Sequence, residues 1–227
     1  VLDGGDPGEY VDRFGRETDE DGNVLLDRVF YIDSVEGIRG NFTSRDYDFE
    51  GEILLANKVD DGYGLGSIDT VSGFNRVFGS YYDDLVVMSG EDLYRGYTPL
   101  YGDDTIIVEG LSEPGASTYL GYWNLEGRTS DHENMSADDA ESAYIFADLQ
   151  AGIVDKYIIG GEFDGIYHDN IIGSIGGIVG SRGDDIIFAS SDGLMEIWDG
   201  EEETASGWAY GFWGDDILAT HEGLHDN

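Results

Sequence analysis

His221-Glu222-Gly223-Leu224-His225 is the pattern with the sharpest chemical meaning in this chain. It satisfies the form H-E-x-x-H, in which two histidines one helical turn apart bind Zn²⁺ and the glutamate activates a water. That geometry needs a helix, and Gly223 sits inside the turn that would have to be helical. The segment also runs out of strand-like residues 216–219, and the other two histidines, His132 and His168, lie in acidic, loop-like surroundings. A zinc metallohydrolase is therefore the remote alternative, and no catalytic residue is assigned.

A second pattern suits a hard cation. Between Glu17 and Asp27, oxygen-bearing side chains alternate at Asp19, Asp21 and Asn23, with Gly22 among them and Asp27 further on. The spacing resembles an EF-hand-type loop, which takes oxygen ligands at alternate positions, a glycine at the sixth and a bidentate Glu at the twelfth. Here Arg28 stands where that Glu belongs, and Asp27 comes one residue early. The metal-ligand candidates are thus Asp19, Asp21, Asn23 and Asp27, with Ca²⁺ as the cofactor. The competing reading is an acidic hairpin with Asp21-Gly22-Asn23 at its tip.

Three segments share a smaller unit: Gly102-Asp103-Asp104-Thr105-Ile106, Gly183-Asp184-Asp185-Ile186-Ile187 and Gly214-Asp215-Asp216-Ile217-Leu218, with Tyr82-Asp83-Asp84-Leu85-Val86 as a variant. Glycine supplies a turn with positive φ, paired aspartates cap it, and the apolar pair opens a strand. The unit resembles the calcium repeats of repeat-in-toxin proteins, which recur in tandem about every nine residues. These copies lie 81 and 31 residues apart, which argues for isolated turns rather than a β-roll.

Other chemistry finds no pattern. There is no G-x-S-x-G elbow, P-loop or complete G-x-G-x-x-G. Carboxylates are too numerous to single out a glycosidase pair. Asn41-Phe42-Thr43 and Asn134-Met135-Ser136 satisfy the glycosylation sequon.

Charge sets the outer bounds. The 49 Asp and Glu against 11 Lys and Arg give −38 over 227 residues, and only Lys58 and Lys156 are lysines. Such a surface repels phosphates and anionic lipid, so nucleic acid is not an expected partner. It favours cations, basic proteins and salt, which screens the self-repulsion. Apolar residues are 40% of the chain, with 15 Tyr and 10 Phe, enough for a packed core. Zero Cys removes disulfides and thiolate sites. No apolar run reaches the length of a membrane span. The acidic, Lys-poor, Gly- and Tyr-rich composition points to an extracellular, cell-surface or salt-adapted protein whose signal peptide has been removed.

The elements that must position these residues are strands. Runs rich in β-branched and aromatic residues cover 24–32, 49–55, 85–88, 105–108, 118–125, 143–149, 157–159, 171–179, 186–189, 194–198 and 208–213. Thirty-five Gly against three Pro fit tight turns and bent strands. Only 137–143 has a short-helix composition. Pro114-Gly115 marks a boundary. The expected fold class is all-β: a β-rich N-terminal domain over 1–112, then an antiparallel β-barrel of about eight strands over 113–227.

The C-terminal half resembles the barrel domain of transferrin-binding protein B-type surface lipoproteins. Ser117-Thr118-Tyr119-Leu120-Gly121-Tyr122-Trp123 is similar to the opening strand of that barrel, and Ala147 to Gly152 to a later one. Gly161 to Gly165 and Gly173 to Gly177 resemble its Gly-spaced middle strands, and Tyr210 to Gly214 followed by Ala219 to Gly223 its closing segment. The resemblance implies a closed barrel behind a smaller handle, with binding loops on the outer surface. In a barrel, the strand at 208–213 would pair with the one at 118–125, closing last against first.

Two function classes follow. One is a non-enzymatic surface or matrix protein acting in assembly, filament formation or adhesion, through a protein partner or self-assembly. The other is a surface ligand-binding protein of the transferrin-binding type. Trp208, Tyr210, Trp213, Tyr94, Tyr97 and Tyr101 are the aromatics that would serve either as interface anchors or as core.

Overall fold

Alternating apolar residues at 142–159 and continuous β-branched runs at 85–88 and 105–108 demand strands buried on one face or both. A computed structural model of the chain describes residues 2–3, 10–11, 17–18, 28–62, 68–72, 74, 76–89, 96–110, 118–125, 142–189, 195–197, 207–212 and 214–220. Every regular element among them is a strand. In chain order these are β1 (Leu2–Asp3), β2 (Tyr10–Val11), β3 (Glu17–Thr18), β4 (Arg28–Phe30), β5 (Arg39–Asn41), β6 (Tyr47–Phe49), β7 (Glu52–Leu54) and β8 (Lys58–Asp60). There follow β9 (Ile68–Ser72), β10 (Arg76–Phe78), β11 (Leu85–Ser89), β12 (Gly96–Thr98), β13 (Thr105–Glu109), β14 (Tyr119–Gly121), β15 (Ser142–Asp148) and β16 (Ile153–Ile159). The last are β17 (Gly165–Gly173), β18 (Gly177–Val179), β19 (Ile186–Ala189), β20 (Met195–Ile197), β21 (Gly207–Tyr210) and β22 (Ile217–Thr220).

Two large sheets carry the fold. The larger runs β1-β9-β8-β5-β11-β13-β17-β16-β15-β19-β22, and the smaller β20-β21-β18-β14-β12-β10-β4. The chain passes from one to the other and back: β10 to β11, β12 to β13, β18 to β19, β21 to β22. Each strand of the smaller sheet runs parallel to its neighbour, as do β11 with β13 and β19 with β22. One circuit of strand, corner, strand and return is therefore a rung, and rungs stack in register. Arg76 lies beside Gly96 and Leu85 beside Thr105, each pair twenty residues apart.

The inward faces of the two sheets share one apolar core. Val77, Tyr97, Leu120 and Ile178 from the smaller sheet pack in the same cluster as Val86, Ile106, Ile145 and Ile187 from the larger. A second cluster lies on the outer face of the larger sheet, where Leu54, Tyr47 and Phe49 of the β6–β7 hairpin cover Leu85, Val87 and Ile107. That cover explains why β11 is buried on both faces. The stack is interrupted once: β17, β16 and β15 pair antiparallel between β13 and β19, while the smaller sheet holds only β14 between β12 and β18.

The all-β expectation holds for the described residues, and several of its details change. The described strands form open sheets with no closed barrel. β21 pairs with β18 and β20, and β18 separates it from β14, so the expected last-to-first pairing is absent. Strands from both sides of the expected 112/113 boundary stand side by side in both large sheets. The run at 49–55 is split by a turn with positive φ at Glu50 and Gly51 into the β6–β7 hairpin. Ala143, placed at the end of a short helix by composition, is buried in β15; residues 137–141 lie outside the described set.

Candidate functional site at the stacked aspartate corner

Four passages from the smaller sheet to the larger, β10 to β11, β12 to β13, β18 to β19 and β21 to β22, turn on a pair of aspartates. The four Asp-Asp units that looked scattered in sequence stand on adjacent rungs at one corner, separated only by the antiparallel insertion. The units stack although they are far apart in sequence, because the period is twenty residues or more, lengthened by insertions that leave the corner intact. Gly102 and Gly214 have positive φ, as a turn glycine should. Gly102 has a second reason to be glycine, since a Cβ there would run into the backbone of Tyr82 on the rung below.

The first aspartate of each pair is exposed and ties its rung to the next. The Asp103 amide donates to Asp83 Oδ1 at 2.8 Å, the His168 amide to Asp103 Oδ1 at 2.8 Å, and the Asp215 amide to Asp184 Oδ1 at 2.9 Å. The second aspartate points inward and ties rungs in the opposite sense. The Ile38 amide donates to Asp84 Oδ1 at 2.8 Å, Asp84 to Asp104 at 2.9 Å, Asp104 to Asp169 at 3.2 Å, and Asp185 to Asp216 at 2.9 Å. Two ladders of carboxylate-to-amide bonds thus run side by side along the stack. Such bonds satisfy corner amides that no sheet ladder reaches.

The inner carboxyls are further wrapped. Asp84 accepts from the Ser80 hydroxyl at 2.5 Å, the Ser80 amide at 2.9 Å and the Tyr97 hydroxyl at 2.6 Å. Asp185 repeats this with the hydroxyl and amide of Ser181. Burial lifts the pKa of Asp84 and carries that of Asp185 to about 7, while these hydrogen bonds pull the other way. Burial also drives Tyr97 and Tyr122 well above the usual phenol range, so both hydroxyls remain donors.

At the insertion, a cation enters the core. Lys156 occupies the inward register of β16 between Val154 and Ile158, and its Nζ lies 2.8 Å from Asp104 Oδ2 and 2.5 Å from Asp169 Oδ1. All three side chains are fully buried. Sequence reasoning passed over this site. Its signal was a lysine at an apolar register position, in a chain with only two lysines.

Outside the corner, the groove of about 650 Å³ beside β5, β7 and β8 is lined by Val35, Ile53, Leu55, Ile68 and Tyr82, and by the charged Arg39, Lys58, Glu36, Glu52 and Asp60. On the outer face of the insertion, Tyr144 stacks on Tyr157 at 4.6 Å, and Phe146 meets Phe188 edge-on at 5.7 Å. Ile153, Ile159, Ile166 and Ile172 are exposed around them.

The residues singled out from sequence fare differently. Asp19, Asp21, Asn23 and Asp27 lie outside the described residues, as do His221, Glu222 and His225. Among the described residues no group of three or more His, Asp or Glu side chains is arranged to hold a metal ion. Tyr97 and Tyr101 are core, and Tyr210 is partly exposed at the end of β21; Tyr94 and Trp213 lie outside the described residues. His168 is exposed and bound to Asp155 Oδ1 at 2.7 Å, which raises its pKa. Asn41 of the first sequon is fully buried, its amide nitrogen donating to the carbonyls of Arg45 and Leu54. Among the described residues no helix is long and apolar enough to cross a membrane. Compared with known protein families and with curated proteins, the chain matches none.

Proposed function

We propose that this chain is a non-enzymatic extracellular or cell-surface protein that acts in surface or matrix assembly or adhesion, through a protein partner or its own copies. The observation that carries the reading is the outer face of β15–β17. Tyr144, Tyr157 and Ile166 lie side by side across the three strands, with Phe146 and Phe188 beside them, an apolar and aromatic surface on a protein of net charge −38. Aromatic clusters of this kind anchor interfaces, and a stack cross-tied at its corner holds them on a rigid platform. Cations, Ca²⁺ among them, would screen the surrounding carboxylates as copies approach.

The test is sedimentation velocity across a concentration series, with and without Ca²⁺, on the native chain and on Tyr157→Lys. Concentration-dependent oligomers or filaments that the variant disperses support assembly. A chain that stays monomeric at every concentration would shift the reading to a second one. That alternative is a surface ligand-binding protein of the transferrin-binding type, with the closed barrel which that resemblance implies. The groove beside β5, β7 and β8 favours it, because its apolar walls and its two cations offer a ligand both contact area and polar handles.

A further inference from the structure

Lys156, Asp104 and Asp169 hold two carboxyls and one amine in a site closed to water. One ammonium cannot neutralise two buried carboxylates, so one carboxyl carries a proton. Asp104 is the neutral member: beside Lys156 it accepts only from the Asp84 amide at 2.9 Å, one donor fewer than Asp169, and burial raises its pKa well above the carboxylate range. Asp169 is raised too, yet bonds from Lys156, from the Tyr122 hydroxyl at 2.9 Å and from the Asp104 amide at 3.2 Å favour its charged form. A neutral carboxylic acid therefore faces an amine whose other partner is a base. These are the reactants of an amide bond.

We propose that Lys156 and Asp104 join in an intramolecular isopeptide bond, with Asp169 as the proton carrier and no external reactant. Asp169 takes one proton from the ammonium, which frees the Nζ lone pair to attack Asp104 Cγ. Negative charge then grows on Asp104 Oδ1, which already accepts from the Asp84 amide at 2.9 Å. The nitrogen gives up a second proton, relayed through Asp169 to the Oδ2 hydroxyl. The Cγ–Oδ2 bond breaks and one water leaves. The products are a neutral amide and a neutral Asp169, so atoms and charge balance. Two forces favour the reaction: fixed geometry in place of a bimolecular encounter, and removal of an ion pair from a low-dielectric interior. The bond would tie the corner before β13 to β16, 52 residues along the chain.

The experiment is intact-mass measurement of the purified full chain, followed by proteolytic mapping with tandem mass spectrometry. The expected result is a mass short by one water, a single branched peptide joining the segments around Asp104 and Lys156, and no tryptic cleavage after Lys156. Lys156→Arg and Asp169→Asn should restore the full mass. Full mass in the native chain overturns the proposal. So does a water loss confined to one linear peptide, as a cyclised Asp-Gly would give, or a loss that persists in Lys156→Arg. Should the variants fail to fold, the native map alone decides.

Discussion

The Asp84 amide donates to Asp104 Oδ1 at 2.9 Å, while one residue away the Asp103 amide donates to Asp83 Oδ1 at 2.8 Å. The same two rungs are thus bonded twice at one corner, in opposite directions. Either ladder alone would leave half of the corner amides unpaired.

The two ladders should differ sharply in energetic weight. Asp84→Ala strands the Ser80 hydroxyl, the Tyr97 hydroxyl and the amides of Ser80 and Ile38 in a buried site. We expect a loss of about 3–5 kcal/mol. Asp83→Ala, on the exposed ladder, should cost about 1 kcal/mol. Urea unfolding of both variants gives the comparison, and equal small losses would refute the inner ladder's role.

Asp185 makes stability depend on pH near neutrality. Its pKa rises from the ordinary carboxylate range to about 7 on folding, so between those values the folded state binds the extra proton. Its contribution is then full below about pH 4, is lost as pH climbs to 7 and levels off above that. Measured in high salt to mute surface repulsion, the fall in stability between about pH 5 and 7 should shrink in Asp185→Asn. An unchanged slope would assign the dependence to other groups.

Salt and calcium separate two effects of the carboxylates. With 49 of them, the melting temperature should climb with NaCl. Millimolar Ca²⁺ at fixed ionic strength should raise it further, and Asp19→Ala with Asp21→Ala should cancel that increment. If Ca²⁺ adds nothing beyond its ionic strength, the proposed site at Asp19, Asp21, Asn23 and Asp27 is dismissed.

For the H-E-x-x-H pattern at His221 we expect no stoichiometric zinc by elemental analysis and no hydrolysis of peptide or ester substrates. One equivalent of zinc, lost in His221→Ala, would reverse this and promote the metallohydrolase.

Strand content was readable because each strand answers to its own side chains. Residues 186–189 form β19 as their β-branched run indicates, and the alternation of Ser142–Asp148 matches its buried and half-buried faces. Pairing was not readable. The partner of β11 is β13 and that of β21 is β18, choices set by corners and returns of unequal length rather than by the strands. Short strands such as Arg39–Asn41 and Gly96–Thr98 escaped notice because glycine and polar residues fill them. At the corner, the Asp-Asp units and their caps are legible, with positive φ at Gly102 and Gly214 but not at Gly183, while the distance between copies hides that they touch. Lys156 is legible as a rare charge, but its place against Asp104 and Asp169 depends on the pairing of β16 with β17 and of β17 with β13.

The unequal strand count on the two sides of the insertion has a geometric outcome. From β12 to β18 the smaller sheet advances two strand spacings, about 10 Å, while from β13 to β19 the larger advances four, about 19 Å. Across the insertion the larger sheet is therefore two strand spacings longer than the smaller, and the added strands work as a wedge on one side of the stack. Tyr144, Tyr157 and Ile166 lie side by side on the added strands, on the longer flank of the stack, where a flat or hollowed surface could close over them first.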